Sequence, residues 1–97
     1  MNLKEKITYV NLLIDTYGSL LTNKQLLILK DKYQYDLSYQ EIAENNKITR
    51  QAAEDTVKVS IKKLEEYESK LHLIVKKNKI LNVIKDKKTK DKIKKII

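Results

Sequence analysis

The 97-residue chain contains no proline and a single glycine, Gly18. Tight β-turns depend on those two residues: glycine enters left-handed backbone at no steric cost, and proline presets the turn. A chain that nearly lacks both is confined to long elements joined by few, short connections. The composition therefore favours helices and points to an all-α fold. The length fits one small domain. Its core would be modest, so a further helix or a partner chain would help to complete it.

Hydrophobic spacing places the helices. Leu3, Ile7, Val10, Ile14 and Tyr17 recur at helical intervals with Leu13 beside them, and Gly18 follows as a natural residue to leave the helix in left-handed backbone. Thr22 and Gln25 form a capping box for a second helix, expected to run to about Tyr35 with Leu26, Ile28, Leu29 and Tyr33 on its apolar side. Ser38 and Glu41 form another capping box, which opens a short helix carrying Ile42 and Ala43. The segment ENNK interrupts it, and Thr49 caps a last helix. No stop signal follows until about Lys76, and Ala53, Val57, Ile61, Leu64, Leu71 and Ile74 or Val75 make its apolar stripe. Val57, Leu64 and Leu71 are seven residues apart, but Ser60 and Glu68 weaken that seam as a coiled coil. Residues 1–76 are the expected helical domain, and 77–97 a lysine-rich tail, helical or frayed.

Residues 38–58 have the form of a helix-turn-helix. Two helices cross sharply only where small residues meet, and Ala43 and Ala53 meet that need, with Ile42, Ile48 and Val57 around them. The turn calls for a left-handed residue, usually glycine; here Lys47 takes that place after Asn46. A non-glycine residue costs about 1–2 kcal/mol there. A recognition helix offers its exposed N-terminal face to base edges. That face would carry Arg50, Gln51, Glu54, Asp55, Lys58 and Lys62. Arginine pairs with guanine and glutamine with adenine. Glu54 and Asp55 can accept from cytosine but repel phosphates. The alternative is a solvated face on which Glu54 pairs with Lys58 at i,i+4.

The net charge of +8 is unevenly placed. Residues 1–75 hold 11 basic and 11 acidic side chains, whereas 76–97 hold 10 lysines against Asp86 and Asp91. All the excess positive charge lies in the tail, so attraction to an anionic partner is an argument about the tail. It could be an arm for nucleic-acid phosphates, lie on anionic lipid, or dock on the body through Ile80, Ile84, Ile93, Ile96 and Ile97. Phosphate contact is the favoured reading. Lysines without aromatic residues cannot stack on bases, so reading of single-strand sequence is not expected.

Catalysis is not expected. There is no cysteine, hence no disulfide framework and no Cys-based metal site. His72 is the only histidine, expected within the last helix at a packing or partner surface. Tyr39 and Tyr67 lack a catalytic constellation, and no glycine-rich phosphate loop occurs. The tyrosines are expected to pack in the core with their hydroxyls in water. No cofactor or metal is implied. No apolar run approaches a membrane span, and the N-terminus does not resemble a signal peptide; a cytoplasmic protein without membrane insertion is the expectation.

The stretch from Leu20 to Leu73 resembles a known family. The motifs LLT-KQ (Leu20, Leu21, Thr22, Lys24, Gln25), LSYQEIAE (37–44), TRQAAEDTVK (49–58) and LEEYESKLHL (64–73) are similar to those of the YlxM family of small bacterial proteins. Their helix-turn-helix is similar to region 4 of sigma factors. The resemblance covers most of residues 7–75 and implies an all-helical fold, a regulatory role and a place in the signal recognition particle pathway, the last because genes of the family lie beside those of the particle's GTPase and its receptor. The chain departs from the family pattern at Lys47, where a glycine is expected. It departs at Ala53 and Glu54, where a larger apolar residue and usually a tyrosine are expected, and in a lysine-rich rather than acidic end.

The candidate nucleic-acid contacts are thus Thr49, Arg50, Gln51, Lys58 and Lys62 on the helix-turn-helix and Lys85, Lys87, Lys88 and Lys90 in the tail. Two functions are compatible with the sequence. One is a regulatory nucleic-acid-binding protein, DNA or RNA, with a sigma-like helix-turn-helix. The other is a protein- or RNA-interaction module of signal recognition particle components that does not read DNA. A homodimer is expected, because the long helix and residues 3–17 expose more apolar stripe than a small monomer can bury.

Overall fold

The computed structural model describes residues 2–75. Its elements are α1 (Leu3–Tyr17), a 3₁₀ turn (Gly18–Leu20), α2 (Asn23–Tyr33), α3 (Tyr39–Asn46) and α4 (Arg50–Leu71), with no strand among the described residues. The fold is all-α. The boundary between body and tail expected near residue 76 lies at the edge of the described residues, and 77–97 lie outside them.

Each helix starts where a short polar side chain can satisfy the free N–H groups of a first turn. Asn2 accepts from the Glu5 amide and Thr49 from the Ala52 amide. Thr22 with Gln25 and Ser38 with Glu41 form complete reciprocal capping boxes. The two hydrogen bonds from Ser38 hold the Glu41 carboxyl below its usual pKa despite a smaller opposing effect of burial.

The core forms along α4, which packs against α1, α2 and α3 in turn. Val10, Leu13, Ile14 and Tyr17 of α1, Ile28 and Leu29 of α2, Ile42 and Ala43 of α3, and Ala53, Val57 and Leu64 of α4 are buried together. At 22 residues, α4 is about 33 Å long, enough to back three shorter helices. Ser60 is the buried polar residue among them. Its hydroxyl donates to the Thr56 carbonyl at 2.6 Å, so a small side chain sits inside the bundle without an unpaired polar group.

Four local expectations are corrected. Gly18 is in right-handed backbone (φ −55°, ψ −33°) and opens the 3₁₀ turn. Its value is space, because a Cβ there would lie 3.0 Å from Leu26 Cδ1 and 3.4 Å from Ile14 Cγ2. Leu3 and Ile7 stay exposed, since the first turns of α1 project beyond the bundle. Helix α2 ends at Tyr33, and Asp36 turns the chain with φ 56°. Finally, α4 stops at Leu71: His72 is a left-handed cap (φ 52°), not a helix residue. Leu71 is consequently exposed, and Ile74 is the residue that returns to the core.

That return is held by Tyr17. Its hydroxyl donates to Glu68 Oε1 at 2.5 Å and accepts from the Leu73 amide at 3.1 Å, while the Ile74 amide donates to the same Glu68 oxygen at 3.1 Å. Burial raises the Tyr17 pKa, the bond to Glu68 adds to it, and the bond from Leu73 opposes. For Glu68, partial burial pushes the carboxyl up. The Tyr17 hydroxyl, the Ile74 and Val75 amides and nearby His72 outweigh it and leave the group below its ordinary value. Glu68, read from sequence as a flaw in the apolar seam, ties α1 to the end of α4. Tyr17, at 1% exposure, has no wet hydroxyl, whereas Tyr35 is 66% exposed.

Candidate nucleic-acid interface

Helices α3 and α4 are joined by Lys47, Ile48 and Thr49. Lys47 is left-handed at φ 53°, ψ 43°. Its amide donates to Glu44, and the Ile48 amide donates back to Ala43 at 3.0 Å. The paired bonds satisfy the last carbonyls of α3 in the manner of a Schellman cap. Asn46, the sterically easier choice, stays helical and spends its side-chain N–H₂ on the Ile42 carbonyl at 2.8 Å. Ala43 and Ala53 are 3% and 0% exposed, so small side chains are buried where α3 packs against α4.

The start of α4 is an exposed face, as expected of a recognition helix. It is also internally paired. Arg50 Nε lies 3.2 Å from Glu54 Oε1, and Gln51 Nε2 donates to Asp55 Oδ1 at 2.9 Å. The two residues best suited to bases each already hold an acidic residue one turn on. Glu54 therefore takes Arg50 as partner, not Lys58. Thr49 spends its hydroxyl oxygen on the Ala52 amide at 3.0 Å. Lys58 and Lys62 are exposed further along α4. The five body residues named from sequence thus share one helix and its cap. Lys85, Lys87, Lys88 and Lys90 lie outside the described residues.

Two neighbouring features were not read from the sequence. An open groove between the start of α2 and α4 is lined by Thr22, Lys24, Gln25, Asp55, Thr56 and Val59, and places Lys24 beside the exposed face of α4. Lys32 Nζ sits 4.4 Å from the centre of the Tyr39 ring. This cation–π contact joins α2 to the first turn of α3. Neither has a local sequence signal, because each depends on how α2 approaches its neighbours. Among the described residues there is no cluster of three or more potential metal ligands, and no helix is long and apolar enough to cross a membrane.

Capped α3, the left-handed turn and the exposed start of α4 over an alanine seam define a helix-turn-helix protein. The chain belongs to the UPF0122 family: residues 4–97 match the family described as "Putative helix-turn-helix protein, YlxM / p13 like". Relatives include UPF0122 proteins of Malacoplasma penetrans (44% identical over 90 residues, 90% of this chain and 84% of the relative), Clostridium acetobutylicum (45% over 86 residues, 89% and 74%) and Fusobacterium nucleatum (41% over 100 residues, 100% and 96%).

Proposed function

We propose that the protein is a regulatory nucleic-acid-binding protein that grips phosphates rather than reading bases. The carrying observation is the division of charge: 11 basic and 11 acidic residues in 1–75, against 10 lysines and two aspartates in 76–97. The helix-turn-helix, to which membership of the family adds support, orients the complex. Lys85, Lys87, Lys88 and Lys90 supply most of the attraction, with Thr49, Arg50, Gln51, Lys58 and Lys62 at the edge of the contact. Base reading by Arg50 or Gln51 first requires breaking its bond to Glu54 or Asp55. In a groove lined with phosphates, those carboxylates are repelled. The reading includes residence in the cytoplasm and pairing of two copies, since Leu3, Ile7, Leu27 and Val59 leave apolar surface exposed.

The pinned Arg50 and Gln51 favour a second reading in which DNA sequence is never read and the protein is an interaction module for structured RNA or protein. The resemblance suggests components of the signal recognition particle as that partner. The two readings separate on one comparison: affinity of the full chain for mixed-sequence duplex DNA and for a base-paired RNA hairpin, with and without Arg50→Ala. Phosphate gripping predicts binding to duplex DNA and an Arg50→Ala loss below about threefold on every duplex sequence. Loss of about 1–3 kcal/mol confined to one sequence would mean that Arg50 reads a base. Binding to the hairpin alone would favour the interaction module.

A further inference from the structure

Helix α1 gives Val10, Leu13, Ile14 and Tyr17 to the core. Its opposite face is open. Lys4, Glu5, Thr8, Tyr9 and Leu12 line a largely apolar groove there. Tyr9 and Leu12 are half-buried, whereas Lys4, Glu5, Thr8 and Asp15 are exposed.

Helical geometry sorts this face into three strips. Lys4 and Asp15 are eleven residues apart, which is three turns, so they share one edge to within about 20°. Glu5 and Thr16 have the same spacing and share the other edge. Thr8 and Leu12 lie between the edges, one turn apart. The first edge thus carries a cation near the start of α1 and an anion near its end.

That order is matched by the same helix reversed. In an antiparallel pair of like helices, each edge faces the corresponding edge of its partner, read in the opposite direction. Lys4 then meets the partner's Asp15, Asp15 meets the partner's Lys4, and Thr8 packs beside the partner's Leu12. These pairings agree on one register. Lys4 with Asp15 centres between Tyr9 and Val10, Thr8 with Leu12 on Val10, and Glu5 with Thr16 between Val10 and Asn11. Thr8 is small enough at the crossing for the axes to reach the 8–10 Å typical of packed helices. The arrangement also sets the positive end of each helix dipole beside the negative end of the other. A parallel pair would oppose Lys4 to Lys4 and Asp15 to Asp15. A phosphate-bearing partner would meet Glu5 and Asp15.

We propose that this face of α1 binds the same face of a second copy, antiparallel and centred near Val10. Two symmetric Lys4–Asp15 ion pairs flank an apolar contact made by Leu12 and Tyr9, the self-complementary pattern of a two-fold dimer. The proposal rests on the pairing of two copies put forward above and names its surface; it is independent of what the tail binds.

Charge exchange in the full chain tests it. Dimer affinity is measured by sedimentation without nucleic acid at about 0.1 M salt. The Debye length there, about 10 Å, screens long-range repulsion between two chains of net charge +8 but not pairs in contact. Lys4→Asp sets anion against anion at both symmetric sites, and Asp15→Lys sets cation against cation. Each should weaken the dimer by about fivefold or more. A one-to-one mixture of the two variants makes both sites attractive again, and so does the double variant Lys4→Asp/Asp15→Lys. Both should return to within about twofold of the parent affinity. Each substitution suits its end of the helix dipole, so helical signal and melting temperature should not fall, and a weaker dimer is not loss of fold. A parent that is monomeric at every concentration overturns the pairing itself, and this surface with it. A dimer that neither single variant weakens leaves the pairing intact and overturns the α1 surface. Weakening that neither the mixture nor the double variant relieves overturns the antiparallel register.

Discussion

Replacing Lys47 with glycine should stabilise the protein, although the same change one residue earlier should weaken it. At φ 53°, ψ 43°, the Cβ of Lys47 crowds the backbone by about 1–2 kcal/mol. Glycine relieves that crowding but gives back part of the gain, because it loses more conformational entropy on folding, roughly 0.5–1 kcal/mol. The net expectation is a gain of about 0.5–1 kcal/mol, or some 3–6 °C in melting temperature for a domain of this size. Asn46 is helical and its side chain bonds to the Ile42 carbonyl. Asn46→Gly should therefore cost about 1 kcal/mol through lower helix propensity and the missing side-chain bond. Urea unfolding of the parent and the two variants at neutral pH measures both. A neutral or harmful Lys47→Gly beside a stabilising Asn46→Gly would put the left-handed residue at 46 and refute this geometry of the turn.

Other consequences follow from the packing. Ala43→Leu pushes three heavy atoms into the α3–α4 seam and should destabilise by roughly 1–3 kcal/mol; an unchanged urea midpoint would mean that the seam is not closed. Tyr17→Phe removes the donor that helps to keep Glu68 ionised. The stabilisation from a depressed Glu68 pKa is complete above its ordinary value of 4.5 and is lost as pH falls through the lower folded value. The gap in stability between parent and Tyr17→Phe should thus be widest at neutral pH and narrow in acid. A gap independent of pH would separate Tyr17 from Glu68. Sedimentation at micromolar concentration should show a dimer, and a monomer at all accessible concentrations would contradict self-association.

Much of the fold was legible because its signals are local. Asn2 aside, the caps were readable at Thr22 with Gln25, at Ser38 with Glu41 and at Thr49, since a side chain and an amide three residues on suffice to make them. Lys47 was readable because ENNK breaks the pattern between two small-residue helices. The turn at His72 was not. Neither neighbour announces it, and the choice of Ile74 over Leu71 for the core is made by the Tyr17 hydroxyl, 56 residues away in sequence from the amide that it accepts. Gly18 misled for a related reason: space beside Leu26, not a left-handed turn, fills its role. At the interface, composition showed which residues share the exposed face but not their pairing. Glu54 has a cation at each i±4 position, and the Glu-before-Lys order favours Lys58. Arg50, with its planar fork of donors, holds it instead.

On the phosphate-gripping proposal, attraction to nucleic acid resides in the lysines beyond residue 76 and not on the exposed face of α4. The most direct test is the salt dependence of binding to mixed-sequence duplex DNA by the full chain, comparing the parent, a variant with Lys85, Lys87, Lys88 and Lys90 each changed to Gln, and a variant with Lys58→Gln and Lys62→Gln. The slope of log affinity against log salt changes by about 0.9 for each phosphate that the protein neutralises. The four tail substitutions should flatten it by at least two such steps, and the two α4 substitutions by less than one. A slope untouched by the tail substitutions but flattened by those on α4 would contradict phosphate gripping by the tail and return the phosphate-binding role to the helix-turn-helix.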